Sequence, residues 1–302
     1  MVVVLLILTA LLAVVVALHL TGADGSRYTA ALLALTPYCL VAGIALGVFG
    51  VALGQWWTGA GCLVPAGVLG ARIGPRALPR KAKKAEGVRL RILASNLFCG
   101  RGDVKTVIEL VREHEVDVLN LLELTGESAE EFERAGLFDL LPYRILRPRG
   151  GGRGSGIASR HPLTELQLAG PSLLEQPSAR LDIGGIAVEV VAVHPVPPTD
   201  SVRNWKSETA GLPRPGPDIR VLAGDYNATL DHATFRNLLT AGYRDAGEQT
   251  GKGLLPTWPA KAPLVTLDHV LADERAAIVG YRVFRVPGSD HHAVFAELRL
   301  PG

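Results

Sequence analysis

The chain divides near residue 72 into two parts that differ in their pattern of apolar and charged positions. Among residues 1–71 only Asp24 and Arg27 carry a charge. Val2 to Leu20 is apolar almost throughout and is long enough to cross a bilayer. Residues 29–71 contain no charged side chain and are barely long enough for two more spans. We therefore predict a transmembrane region at 1–71 with three spans, at about 2–20, 29–53 and 57–71.

Two features of this region leave alternatives open. A cleaved signal peptide also contains an apolar segment, although no basic stretch precedes this one and more apolar sequence follows it. Residues 72–87 form a linker with six basic residues, which is a solvated flank, a contact with anionic lipid headgroups, or both. By the positive-inside rule this linker favours a cytoplasmic domain after it.

From residue 88 to 302, short apolar segments and helical patterns predict one α/β domain. A strand at 90–94, a helix that begins after Asp103 and a strand at 118–122 form a β-α-β opening. Further strands are predicted at 156–159, 180–183, 187–193, 221–223 and 264–271. Residues 196–217 contain five prolines, and we predict a long loop there.

Polar residues follow these strands at the points where the strands end. They are Asn96, Glu123, His194, Asp225, Asn227, Asp268, Asp290 and His291. Each one alone is more often structural, and Asp225 with Asn227 is also typical of an Asx turn. Eight such residues at successive strand ends indicate a site of carboxylates, carboxamides and imidazoles on an α/β sandwich.

Composition restricts the classes of protein that fit this pattern. The formal net charge is only +2, which argues against a strongly basic nucleic-acid-binding protein. The three cysteines form neither a disulfide framework nor a zinc-binding pattern. The Gly- and Arg-rich segment 147–153 is either a flexible hairpin loop or a source of arginines that reach a phosphate.

The order of the motifs resembles the endonuclease/exonuclease/phosphatase family over about residues 88–300. The motifs are Ser95-Asn96, Leu122-Glu123-Leu124, Gly154-Ser155 with Ser159-Arg160, Val193-His194-Pro195, Gly224-Asp225-Tyr226-Asn227, Leu267-Asp268-His269 and Ser289-Asp290-His291. Two positions depart from the family pattern, because many members have Gln at the position of Leu122 and Arg at that of His292.

The resemblance implies a four-layer α/β/β/α sandwich with the site at one edge of the paired sheets. It also implies that Glu123 and Asp290, with Asn96 nearby, hold Mg²⁺, with Mn²⁺ as an alternative. Carboxylate and carbonyl oxygens suit such a hard cation.

Five other residues take catalytic roles by the same resemblance. Asp225 would orient or deprotonate the attacking water, and Asn227 would donate to the phosphate. His194 would serve the scissile phosphate or its leaving oxygen. Asp268 would hold His291 in one tautomer, so that the imidazole stabilises charge on phosphorus. We further expect Arg153, Arg180 and Trp258 to bind the substrate.

The apolar N-terminal region and the segments 194–198 and 256–259 also resemble a membrane-anchored bacterial branch of the family, the VanJ-like teicoplanin-resistance membrane proteins. This branch implies hydrolysis of undecaprenyl pyrophosphate to undecaprenyl phosphate at the bilayer, outside the cytoplasm. We therefore expect an extracytoplasmic catalytic domain despite the basic linker. The alternative is an extracytoplasmic metal-dependent nuclease or other phosphodiesterase. A non-catalytic membrane module is disfavoured by the complete set of eight residues.

Overall fold

The computed structural model describes residues 2–81 and 87–301. The linker lysines Lys83 and Lys84 lie outside the described residues. The N-terminal region consists of four helices: α1 (Val2–Thr21), α2 (Arg27–Ala34), α3 (Thr36–Ala52) and α4 (Trp56–Ile73). The helix predicted at 57–71 is thus present as α4.

The segment predicted as a span at 29–53 is not one helix, because it consists of two helices. Helices α2 and α3 meet at Leu35 with a bend of 62°, and α3 has a proline, Pro37, in its first turn. Proline lacks an amide hydrogen and clashes with the preceding turn, so it is tolerated best at a helix start, whereas inside a helix, as at Pro65 of α4, it removes a backbone hydrogen bond. Within the described residues, only Val3–Thr21 is a single helix long and apolar enough to cross a membrane, and the bent pair is at most a second such unit.

Helices α1, α3 and α4 form a tight antiparallel group. A Cβ atom added to Gly50 of α3 would lie 3.1 Å from the Cα atom of Gly59 in α4, so small residues allow the two backbones to approach closely. The outward face of α1 is apolar, and Val4, Ile7 and Leu11 are each more than half exposed. This face is suited to an apolar environment rather than to water.

The rest of the chain forms two six-stranded sheets. The first has the order β11 (Ala277–Arg285), β12 (His292–Arg299), β1 (Arg89–Asn96), β2 (Val118–Leu122), β4 (Ser155–Ser159) and β3 (Tyr143–Arg147). The second has the order β5 (Thr164–Leu166), β6 (Ser178–Ile183), β7 (Ile186–Val193), β8 (Ile219–Asp225), β10 (Asp268–Asp273) and β9 (Tyr243–Asp245). The helices are α5 (Val104–Glu113), α6 (Gly126–Arg134), α7 (Leu137–Leu140), α8 (Pro198–Ala210), α9 (Ala233–Thr240) and α10 (Ala246–Gln249).

Helices cover the outer faces of the two sheets, which confirms the predicted α/β/β/α sandwich. A buried core that includes Ile92 and Val221 lies between the sheets. Phe132 of α6 belongs to a second core outside the first sheet, and Trp205 of α8 to a third outside the second sheet. The β-α-β opening is also confirmed, since β1 and β2 pair in parallel.

Two predicted boundaries are wrong. The expected loop at 196–217 contains helix α8, because Pro197 and Pro198 lie at its start, where proline is tolerated. The buried ring of Trp205 then fixes this helix against the sheet. The strand predicted at 264–271 begins only at Asp268.

The basic linker is docked on the catalytic domain where the structure describes it. The 3-10 turn Gly74–Ala77 carries Arg76, which is buried and donates from Nη1 to Asp231 Oδ2 at 3.0 Å. Arg80 donates to Glu248 Oε1 at 2.7 Å. These two arginines therefore bind the protein itself, and the interpretation of the whole linker as a solvated flank is wrong.

Candidate active site

Strand pairing in the second sheet brings three predicted residues together. Asp268 of β10 lies directly opposite Asp225 of β8. Strand β7 runs parallel to β8 and ends beside Gly224, so that His194 follows at the same edge. A Cβ atom on Gly224 would lie 2.1 Å from the Val193 carbonyl oxygen, so this position needs glycine for the close approach of two strands.

The first sheet delivers its residues to the same edge. Asn96, the last residue of β1, pairs with Leu122, the last residue of β2. Glu123 follows Leu122 directly and therefore lies at the same edge of the sheet as Asn96. Ser289 donates to the Asn96 carbonyl oxygen at 2.7 Å and accepts from the His291 amide at 3.0 Å. This serine fixes the Asp290-His291 segment beside the end of β1.

His291 lies between two buried carboxylates. Its Nδ1 is 2.8 Å from Asp268 Oδ2, and its Nε2 is 3.6 Å from Asp225 Oδ2. Burial lowers the pKa of His291, but the two carboxylates outweigh this effect and raise the pKa to about 10. His194 Nε2 lies 3.9 Å from the same Asp225 oxygen. These contacts favour the protonated form of the imidazole beside the carboxylate that was predicted to handle water.

The Asx turn expected at Asp225 is present and forms part of the site. The Asn227 amide donates to Asp225 Oδ1 at 2.8 Å, and the Asn227 side chain donates to the Pro195 carbonyl at 3.1 Å. Asn227 has a φ of 49°, a conformation that a non-glycine residue adopts at a cost. Burial raises the pKa of the Asp225 carboxyl, and the His291 charge opposes that shift.

Asn96, Glu123 and Asp290 form an oxygen-rich group that fits a hard cation. Asn96 Nδ2 donates to Glu123 Oε1 and to Asp225 Oδ2, at 3.1 Å in both cases. Trp258 donates from its ring nitrogen to Asp290 Oδ2 at 3.3 Å. The other Asp290 oxygen is buried without a hydrogen-bond partner, which is the state expected of a ligand atom that awaits a cation.

A second group also has the spacing for a metal ion. Single ligand atoms of Asp225, Asp268 and His291 all lie within 4.8 Å of one another. The His291 imidazole already shares a short hydrogen bond with Asp268, and a nitrogen ligand suits transition metals better than Mg²⁺. The group around Glu123 and Asp290 is the better fit to a hard cation.

A cavity of about 550 Å³ opens over these residues. Its polar side is formed by Glu123, His194, Asp225, Asn227, Asp290 and His291. Its other side includes one face of α2, with Arg27, Ala30, Ala31 and Ala34, followed by Leu35. The N-terminal region therefore contributes a wall of the candidate active site.

The structure separates the three predicted substrate-binding residues. Trp258 lines the cavity. Arg153 instead donates to the Gly150 carbonyl of its own loop at 3.4 Å, and Arg180 of β6 pairs with Asp218 at 2.9 Å. Neither arginine is among the residues that line the cavity. The cavity lining therefore gives no support to substrate binding by Arg153 or Arg180, which stays a prediction.

The cavity residues that sequence analysis missed include Arg27, Cys99, Asp200 and His232. Arg27 had a usable signal, since an isolated charge in an apolar region is costly and often functional. Cys99 donates its thiol to Glu123 Oε2 at 3.3 Å, and nothing in its sequence surroundings indicates that contact. His232 is buried where α2 packs against the catalytic domain. This contact exists only in the folded protein, so the local sequence does not indicate it.

Comparison with known proteins identifies the family. The sequence model described as Endonuclease/Exonuclease/phosphatase family matches residues 93–291, more than half of the chain. The chain belongs to this family. Its members are metal-dependent phosphoesterases and nucleases, so the protein is a metal-dependent phosphoric ester or anhydride hydrolase. No curated protein matches the sequence.

Solved structures agree on the fold. An endonuclease/exonuclease/phosphatase from Beutenbergia cavernae has a TM-score of 0.61 at 19% identity, covering 71% of this chain and 72% of its own. D. rerio TDP2 complexed with single-strand DNA product has a TM-score of 0.52 at 17% identity, covering 70% and 98%. The 3′ phosphatase NExo from Neisseria, bound to product DNA hairpin, has a TM-score of 0.51 at 18% identity, covering 68% and 98%.

Proposed function

We propose that this protein is a membrane-anchored, Mg²⁺-dependent phosphohydrolase that acts on a lipid-linked phosphate, with Mn²⁺ as an alternative metal. The proposed reaction is hydrolysis of undecaprenyl pyrophosphate to undecaprenyl phosphate and phosphate. Such a reaction would recycle a cell-wall lipid carrier and contribute to glycopeptide resistance, as in the VanJ-like branch. One observation supports the proposal: the same cavity is lined by the candidate catalytic residues and by residues of helix α2, most of them alanines.

The chain's own residues account for an in-line displacement at the terminal phosphorus. Asp225 orients a water molecule and accepts its proton, because its carboxylate borders the cavity and its burial raises its pKa. His291, held by Asp268, donates to a phosphoryl oxygen as negative charge develops there. His194 and Asn227 donate to the remaining oxygens. The P–O–P bond breaks, and the lipid phosphate leaves.

Asn96, Glu123 and Asp290 would hold the metal ion in this scheme. A divalent cation held by these residues would supply polarisation of the phosphoryl group and neutralisation of its charge. Glu123 and Asp290 are suited to this role because their oxygens face one cavity, and Asn96 fixes the orientation of the Glu123 carboxylate.

We also propose a multi-pass topology with the catalytic domain outside the cytoplasm. The end of α1, the start of α3 and the end of α4 each adjoin a segment that contacts the catalytic domain. These three helix ends therefore lie on the side of the helices that faces the catalytic domain. The three helices have 17 to 20 residues and are about 25–30 Å long at 1.5 Å per residue, close to the thickness of a bilayer core. Of the three, only α1 is by itself both long and apolar enough to cross a membrane. A reporter fused after residue 86 that is active only in the cytoplasm would overturn this topology.

Phosphate release from undecaprenyl pyrophosphate tests the proposed activity. The purified full-length protein in detergent is assayed with Mg²⁺, with Mn²⁺ and with EDTA. We expect release that requires the metal and that falls at least about a hundredfold in Asp225→Ala. Equal rates for the wild type and Asp225→Ala would contradict the mechanism.

The alternative function is that of a nuclease or other phosphodiesterase. It is favoured by the two structural neighbours whose structures contain DNA product. The net charge of +2 and the apolar cavity wall disfavour a polyanionic substrate. Plasmid cleavage by the same preparation, without release of phosphate from the lipid, would establish the alternative.

A further inference from the structure

Hydrogen bonds hold helix α2 against the catalytic domain. One comes from within the helix, and two come from the segment just before it. The Ala30 carbonyl lies 2.8 Å from His232 Nε2. Just before the helix, buried Asp24 accepts from Lys206 Nζ at 2.7 Å and from the Thr234 amide at 2.8 Å. A helix so fixed keeps a constant position relative to the catalytic residues.

The cavity residues of α2 lie on one helical face. Arg27, Ala30, Ala31 and Ala34, with Leu35, follow the i, i+3, i+4, i+7 and i+8 spacing. Residues with small side chains leave open space along this face, while the arginine stands at its first turn. The face therefore offers a cation followed by an apolar surface.

Among the described residues that line the cavity, Arg27 is the only lysine or arginine. The same cavity contains the carboxylates of Glu123, Asp225 and Asp290. Among the described residues, Arg27 contacts the Tyr28 side chain, through a 2.9 Å hydrogen bond and the ring face, and pairs with no carboxylate. A guanidinium with free donors beside an acidic site can accept a substrate anion.

We propose that α2 is the specificity element of the active site. Arg27 binds the phosphate that remains on the lipid product, and the face of Ala31 and Ala34, which are not buried, receives the adjoining part of the apolar chain. This inference rests on the proposed function. It assigns the N-terminal region a direct part in substrate binding in addition to anchoring.

The chemistry of the substrate fits this division. A lipid pyrophosphate has one phosphate to be cleaved and a second one attached to the chain. The metal and catalytic groups act on the first. The second needs a cation of its own, because the carboxylates of the site would otherwise repel it. Arginine provides planar donors for two phosphate oxygens at once.

Two variants of the full-length protein in detergent test the inference. Arg27→Gln should raise KM for undecaprenyl pyrophosphate, and Ki for inorganic pyrophosphate as a competitive inhibitor, by about tenfold, the effect of one lost charge-assisted hydrogen bond. kcat should change less than about threefold, because Arg27 does not touch the reacting phosphorus. Arg27→Lys should recover part of the loss. Ala31→Leu should raise KM for the lipid about tenfold and leave Ki for inorganic pyrophosphate unchanged.

Matched controls separate these effects from damage to the helices. Arg72→Gln and Ala60→Leu alter exposed residues of α4 that do not line the cavity, and both should behave as wild type. All variants should retain the wild-type unfolding temperature.

The outcomes distinguish failure of this inference from failure of the proposed function. If the wild type cleaves the lipid but the KM and Ki of Arg27→Gln lie within twofold of the wild-type values, the inference is wrong and the proposed function stands. A wild type that cleaves DNA and never the lipid pyrophosphate overturns both.

Discussion

Replacement of Asp24 should loosen the attachment of the N-terminal helices to the catalytic domain. The Asp24 side chain is fully buried. Its Oδ2 accepts from the Thr234 amide in the first turn of α9, whereas the residue at the N-cap of α9, His232, makes no side-chain capping bond. Asp24 therefore caps a helix that lies about 210 residues further along the chain.

The magnitude follows from two separate interactions. Loss of a capping hydrogen bond costs about 1 kcal/mol. The ion pair with Lys206 adds about 1 kcal/mol or less, since the lysine side chain is 43% exposed. We expect Asp24→Ala to lower the free energy of local opening by about 2 kcal/mol. Asp24→Asn keeps an oxygen for the Thr234 amide and should cost about half of that.

Hydrogen exchange at the Thr234 amide measures this opening directly. A loss of about 2 kcal/mol should accelerate exchange roughly 30-fold in Asp24→Ala, and about fivefold in Asp24→Asn. Glu130→Ala, at an exposed position of α6, is the matched control and should leave exchange unchanged. Exchange in Asp24→Ala within threefold of the wild type would refute the reasoning.

The effect should also depend on pH in one direction. Burial raises the pKa of Asp24, but hydrogen bonds from Lys206 and Thr234 outweigh it and hold the pKa below its usual value of 3.8. A carboxyl with a depressed folded pKa stabilises above its unfolded pKa and loses that contribution as pH falls through the folded value. The difference between the wild type and Asp24→Ala should therefore be constant above about pH 5 and shrink below pH 3.8.

Three further predictions concern the site and its support. Asp268→Asn should lower kcat about a hundredfold, because His291 loses the partner that fixes its protonation; an unchanged kcat for phosphate release would contradict this. Glu123→Gln should raise the Mg²⁺ concentration for half-maximal activity by at least about tenfold, and a metal titration with an unaltered midpoint would exclude Glu123 as a ligand. Asn120→Leu should lower the free energy of unfolding by about 2 kcal/mol, since its amide bonds two carbonyls of the other sheet at 2.9 and 3.0 Å; calorimetry of the full-length protein checks this.

Local pattern was sufficient for much of the fold. Strands β1 and β2 were predictable as short apolar runs. Helix α5 was predictable because its apolar residues recur at helical spacing and Asp103 marks its start. Helix α8 was not predictable from local pattern, because the prolines at 197–198 and 213–217 are typical of a loop. In the structure the segment between them is helical, and it packs on the sheet through the buried ring of Trp205.

By itself, the sequence determined the family, the sandwich and the residues gathered at the strand ends, since each depends on neighbours a few positions apart. The tertiary structure alone decided which side chains share the cavity. Arg153 and Arg180 resembled phosphate ligands but bind elsewhere, while Arg27 of α2 faces the site. That arrangement depends on contacts between Asp24 and Thr234 and between Ala30 and His232. Contacts over some 200 residues leave no periodic pattern, because they arise only when the folded surfaces meet.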